Sequence, residues 1–250
     1  MSKSPDQLSL NIKLDDSVSL DKFIECDSNR DCLNFLKSTL REDSISNLFY
    51  IWGREGVGKS YIMQALNREF INQNKRTFHL SLTDRKVPSH KILQHLEALD
   101  VILIENIDNL PKNEEWETQI FSLINSALTS KIKIYLSSRI VSKDLEIDLK
   151  DLHSRLAYFT AIEVPEITNE EKLDAISQSS ARKGIDLDTK TKEFIINNTS
   201  RSLSDLLQLL SDIDDFSLEK KKKVNTYLIR QLLKVRSGSP HTVSYTHLTL

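Results

Sequence analysis

The chain has 250 residues, 39% of them hydrophobic and 28% charged, which suits one large core or two modest ones and excludes wholesale disorder. A formal net charge of −2 gives no overall basic footprint, so duplex DNA gripped through its phosphates is not the default partner. No run approaches the ~20 apolar residues of a membrane helix and no signal-peptide core opens the chain, so a soluble, cytoplasmic protein without membrane contact is expected.

In chain order, residues 1–18 read as a mostly polar, flexible arm with one apolar patch, QLSLNI at Gln7 to Ile12. A short patch with no core of its own reads either as an edge strand packed on the module or as a peptide that needs a partner. Cys26 and Cys32 fit neither a C-x-x-C nor a zinc pattern and are expected as reduced thiols. The six histidines are scattered, which points to no metal site beyond the magnesium of a nucleotide.

Residues 19–164 alternate between the two periodicities. Apolar spacing predicts a helix over Asp31 to Arg41, a strand at NLFYIW and a helix over Ser60 to Asn72. RTFHLSL is a strand, SHKILQHLEAL a helix, DVILIENI a strongly apolar strand, Asn113 to Ser130 a helix, KIKIYLSS a strand and TAIEV the last strand, punctuated by Pro165. The rhythm predicts an α/β fold, a parallel sheet with helices on both faces.

Residues 165–236 carry no strand signal and read as a small all-helical domain. Thr168 with Glu171 forms a capping box, Gly184 closes that helix and Asp188 caps the next. A third helix is expected over Ser202 to Phe216 and a fourth over Val224 to Lys234, with Lys220 to Lys223 a solvated turn between them. Residues 237–250 lack helical periodicity and are expected to be a non-native tail.

The chemistry begins at Gly53-Arg54-Glu55-Gly56-Val57-Gly58-Lys59-Ser60, a G-x-x-x-x-G-K-[ST] motif between a strand and a helix. Gly53, Gly56, Val57 and Gly58 turn backbone N–H groups toward phosphate oxygens, Lys59 reaches the β/γ-phosphates and Ser60 ligates magnesium, so ADP or ATP with Mg2+ is expected there. An ordinary tight turn is the plain alternative. DVILIENIDNL ends in acids as a Walker B strand does, and Glu105 is the expected magnesium-side carboxylate. Asn106 follows where hydrolysing proteins place a second acid, and an amide offers no basic lone pair to water, so intrinsic hydrolysis is expected to be weak or absent. Asp108, two positions on, reads as a solvated loop acid.

GREGVGKS, LIENIDNL, YLSSR at Tyr135 to Arg139, DLHSRL at Asp151 to Leu156 and TSRSLSDLL at Thr199 to Leu207 fall in the order of the AAA+ module of the bacterial initiator DnaA. The chain resembles that family over about Ser19 to Lys234 and is most similar to its DnaA-related regulators, which share the asparagine after the Walker B acid and a Q-L-S-L arm. The resemblance implies a P-loop AAA+ sheet followed by a helical lid. It makes Phe23 to Asn29 a lining of the adenine pocket, Ser137 to Arg139 the sensor 1 segment, with Ser138 where an aspartate is usual, Arg155 an arginine finger acting in a neighbouring subunit and Arg201 the sensor 2 arginine. No helix-turn-helix domain of the DnaA kind is expected after this module, which would separate regulator from initiator.

By the same resemblance the partners are the DnaA AAA+ domain and the DNA polymerase sliding clamp, entered through Gln7, Leu8 and Leu10, with DNA met only through the clamp and self-association left open. The implied function is to promote ATP hydrolysis by DnaA and so restrain initiation of replication. The rival is an AAA+ ATPase loading a helicase, of the DnaC or IstB kind, for which an acidic pair at 105 and 106 is expected.

Overall fold

The computed structural model describes residues 18–44, 46–83, 89–198, 202–220 and 224–238. Its contacts divide the chain into two compact units between Val164 and Pro165, with residues 55–58 grouped with the second.

The first unit is built on five parallel strands, β1 (Leu48–Trp52), β2 (Thr77–Ser81), β3 (Val101–Glu105), β4 (Lys133–Ser138) and β5 (Thr160–Glu163), in the order β2-β3-β4-β1-β5. Every residue of β3 and β4 is buried, and a strand covered on both sides reads as a continuous apolar run because neither face meets water. Successive side chains face opposite ways. Leu48, Tyr50, Ile102, Ile104, Ile134 and Leu136 join Trp116, Ile120 and Leu123 of α3 (Glu114–Thr129) and Leu152 and Leu156 of α4 (Lys150–Leu156) in one cluster. On the other face Phe49 stacks on Tyr135 at 4.8 Å, and Phe70 of α2 (Lys59–Asn72) lies 5.8 Å from Tyr135. Tyr135 also donates its hydroxyl proton to Thr39 Oγ1 at 2.8 Å, tying down α1 (Arg30–Thr39). The two-faced α/β sheet expected from the alternating pattern is therefore present.

Lys133 sits in β4 with only 8% exposure, donating to the carbonyls of Thr39 and Arg41. A cation at a helix C-terminus meets the orphan carbonyls and the negative end of the dipole, and burial still holds its pKa below the usual lysine range.

Two elements differ from expectation. SHKILQHLEAL is not one helix but two 3-10 turns, His90–Leu93 and Leu96–Ala98, separated by His95 at φ 62°. Eleven residues fall short of the ~12–15 at which a helix stands on its own, and Leu93, Leu96 and Leu99, spaced by three, all meet the core cluster as a three-per-turn helix allows. The second is α4, a seven-residue helix that alternation alone did not mark.

The second unit is helical: α5 (Asn169–Arg182), α6 (Thr189–Asn198), α7 (Leu203–Lys220) and α8 (Thr226–Gly238). Ile176, Ile195, Leu206, Leu210, Ile213 and Ile229 are among its core residues. The Thr168–Glu171 capping box is formed, and Gly184 closes α5 at φ 70°, where a side chain would be strained. Asp188 Oδ1 accepts from Thr191 N at 2.7 Å, and hydrogen bonds from the Thr191 side chain and then its backbone hold the carboxyl below its ordinary pKa. Helix α8 continues through Ser237 and Gly238, two residues into the stretch expected to lack helix; residues 239–250 lie outside the described residues.

Candidate functional site

Strand order brings the chemistry to one edge. β4 lies between β1 and β3 in a fully parallel sheet, so the glycine loop after β1, Glu105 ending β3 and Ser137 to Arg139 closing β4 all emerge at carboxyl ends, where open α/β sheets bind ligands.

In the loop, Gly56 and Gly58 take φ 81° and 100°, a region that excludes most side chains and lets successive N–H groups turn inward. Lys59 is buried to 7% exposure, and its Nζ donates to the carbonyls of Gly53 at 2.7 Å and Arg54 at 2.8 Å. The ammonium is thus held inside the curve of its own loop, at the N-terminus of a fourteen-residue helix whose positive dipole end favours an anion. Ser60 is exposed on the first turn of α2. Beside it, the Tyr61 hydroxyl donates to Ser19 O at 3.1 Å, and its ring lies 5.6 Å from Phe23. Asn29 closes the 24–29 segment by donating to Ile24 O and accepting from Cys26 N, both at 2.9 Å. The segment expected to line an adenine pocket therefore packs beside the start of the loop helix.

Glu105 is 4% exposed. Its Oε1 lies 2.6 Å from Nε2 of His79 on β2. Asn106 stands at φ 59°, a left-handed geometry that asparagine tolerates better than most residues. Its backbone N–H donates to Ser137 Oγ at 3.2 Å and its amide to Thr83 Oγ1 at 3.4 Å. Ser138, fully buried, accepts from Ile140 N at 3.1 Å and so shapes the turn leaving β4.

Asp108 corrects an expectation. Its side chain is 5% exposed, not solvated, and Arg139 Nε donates to Oδ2 at 2.5 Å while Arg139 N approaches Oδ1 at 3.3 Å. Both carboxylate oxygens are thus engaged by donors of Arg139, so the side chain is turned to that residue rather than to water.

Arg155, half-buried on α4, is bracketed by two rings, its guanidinium carbon 5.9 Å from the centre of Phe121 and 5.7 Å from Tyr158. The helix is anchored from α3: Glu117, 3% exposed, accepts from Asp148 N at 3.2 Å and Leu149 N at 2.7 Å. Thus a buried carboxylate satisfies N–H groups at the entry to α4, where no side chain of its own does so. Both α3 residues, one helical turn apart, went unmarked in the sequence.

Arg201, Gln7, Leu8 and Leu10 lie outside the described residues. Among the described residues no group of three or more His, Cys, Asp or Glu could hold a metal ion. A nucleotide's magnesium does not need one, since it takes one or two protein ligands and completes its shell with phosphates and water. Buried Glu105 with the Ser60 hydroxyl is such a donor set, so loop and carboxylate fit a magnesium nucleotide. No described helix is long and apolar enough to cross a membrane.

Comparison with known proteins agrees with this fold. Residues 14–163 match the model of the bacterial DnaA ATPase domain, and residues 169–233 match that of the Hda lid domain. An uncharacterized protein of Haemophilus influenzae is 26% identical over 230 residues, 92% of this chain and 99% of that protein. The AMPPCP-bound DnaA of Aquifex aeolicus superposes with a TM-score of 0.72 at 20% identity, covering 90% of this chain and 71% of that one. Domain III of Thermotoga maritima DnaA gives 0.70 at 18% identity over 87% of this chain and 95% of that one. The RuvB branch migration motor of Thermotoga maritima gives 0.64 at 18% identity, covering 87% and 71%.

Proposed function

The chain belongs to the family of the bacterial DnaA ATPase domain, and from that premise we propose that it is an adenine-nucleotide-holding regulator of DnaA. In this reading it binds ADP or ATP at Gly53 to Ser60, hydrolyses it poorly, and promotes hydrolysis in the DnaA AAA+ domain through Arg155. The observation that carries the reading is the pairing of a complete phosphate loop with an acid-poor strand end. Lys59 and Glu105 are buried, whereas Asn106 supplies an amide and Asp108 is held by Arg139.

The loop N–H groups and the α2 N-terminus hold the phosphates, and Lys59 Nζ exchanges the Gly53 and Arg54 carbonyls for phosphate oxygens. Magnesium held by Ser60 and Glu105 would neutralise phosphate charge. Arg201 would contribute a further cation toward the phosphates. The permanently charged, planar guanidinium of Arg155 suits a γ-phosphate in a neighbouring site, and Phe121 and Tyr158 hold it there. Gln7, Leu8 and Leu10 dock the chain on the sliding clamp, which brings it to DNA. The helicase-loader alternative loses ground to Asn106 and to the held Asp108.

The test measures phosphate release by ATP-loaded DnaA with and without this chain and loaded clamp. Wild type should accelerate release by ~10³ or more, the scale of an arginine finger. Arg155→Ala should bind fluorescent nucleotide normally and accelerate nothing, while Lys59→Ala should not bind nucleotide. Full acceleration by Arg155→Ala would remove that residue from the mechanism.

A further inference from the structure

His79 is unused by this account, although it is the hydrogen-bond partner of the key carboxylate. β2 and β3 run parallel with His79 opposite Leu103 and Ser81 opposite Glu105. Residues two apart on a strand share a face, so His79 and Glu105 stand diagonally on one face of the sheet, the face on which Tyr135 meets Phe70 of α2. Their side chains are 8% and 5% exposed, with Nε2 to Oε1 at 2.6 Å. A buried carboxylate is costly unless it is hydrogen-bonded, and among the described residues the hydrogen bond shown for this side chain comes from the imidazole.

We propose that His79 is a positioning residue for the magnesium-side carboxylate. This rests on the nucleotide reading of the site and deepens it. Nε2 carries the proton, since an ionised carboxylate can only accept. Its donation fixes the Glu105 rotamer and occupies Oε1, so that Oε2 is the oxygen presented to the magnesium nucleotide. No bond is made or broken. Groups that hold a metal-ligating side chain in place are worth ~10- to 100-fold in metal affinity when removed.

The experiment titrates Mg2+ into the full chain with fluorescent ADP, using wild type, His79→Leu, which fills the space without a donor, and His79→Gln, which keeps one. Expected for His79→Leu is a rise of ~10-fold or more in the Mg2+ concentration giving half-maximal binding, with affinity in EDTA unchanged. His79→Gln should recover most of that shift, and if the leucine variant does not fold, His79→Ala takes its place as the variant without a donor. A wild-type Mg2+ midpoint in His79→Leu, an equal loss in EDTA and in Mg2+, or a glutamine variant no better than leucine would overturn the proposal. Wild type that binds ADP equally with and without Mg2+ would remove Glu105 as the magnesium ligand, and His79 with it, while leaving the phosphate loop standing. Wild type that binds no ADP at all would remove the nucleotide reading itself.

Discussion

At Asn106 the backbone turns left-handed straight after Glu105, and the amide spans to Thr83 beyond β2. Asparagine and aspartate are the side chains that tolerate this conformation best, so Asn106→Asp changes the chemistry with little cost to the backbone. The new carboxylate still meets the Thr83 hydroxyl, which can donate as well as accept. A positioned base contributes ~10²–10⁴ to hydrolysis. Asn106→Asp is expected to raise the chain's own ATP turnover by at least ~10-fold, the lower figure reflecting a side chain shorter than glutamate. Steady-state phosphate release measures it, and an unchanged rate would mean that something other than the missing acid limits turnover. The positions of Lys59 and Ser60 at a helix start and of Glu105 at a strand end were legible because each lies in a contiguous stretch of strong pattern. His79 was not, because its partner is 26 residues away and only the register of two strands makes them neighbours. The Arg139–Asp108 pair was hidden for the same reason, so an acid at a strand end passed for a solvated one.

Among the elements, α4 depends most on its surroundings. Seven residues cannot hold a helix alone, and Leu152 and Leu156 bind it to the core while Glu117 satisfies the N–H groups of Asp148 and Leu149. Glu117→Ala takes the carboxylate from those part-buried donors, at a cost of about 1.5–3 kcal/mol for hydrogen bonds to a charged group. Glu117→Gln keeps one acceptor and should cost less. Both variants should retain nucleotide affinity, while amide exchange in α4 quickens and stimulation of DnaA falls in step. Normal stimulation by a Glu117→Ala variant with a frayed α4 would sever helix order from Arg155 function. The long, strongly periodic elements were legible in the sequence, as were the Thr168 capping box and the Gly184 stop, whose signals are local. The 3-10 turns between His90 and Ala98 were not, because Leu93, Leu96 and Leu99 fit a helix of either pitch and the sheet decided between them.

At the scale of the molecule, each unit has a core of its own among the described residues, one between sheet and helices and a smaller one among α5 to α8. A small core leaves little surplus over conformational entropy. Both tryptophans, Trp52 and Trp116, belong to the first unit, so their fluorescence reports the α/β half alone, whereas far-ultraviolet circular dichroism sums the helices of both. Chains built of more than one domain commonly depart from two-state unfolding, and non-coincident probes reveal it. The urea transition followed by dichroism is therefore expected to begin below the one followed by fluorescence. Magnesium ADP should move the fluorescence transition upward, by about 2.7 kcal/mol when free nucleotide stands at 100 times its Kd. Lys59→Ala should abolish that shift, because the α/β half then has no ligand to lose on unfolding. Superimposable transitions with and without nucleotide would mean that the two cores unfold as one cooperative body.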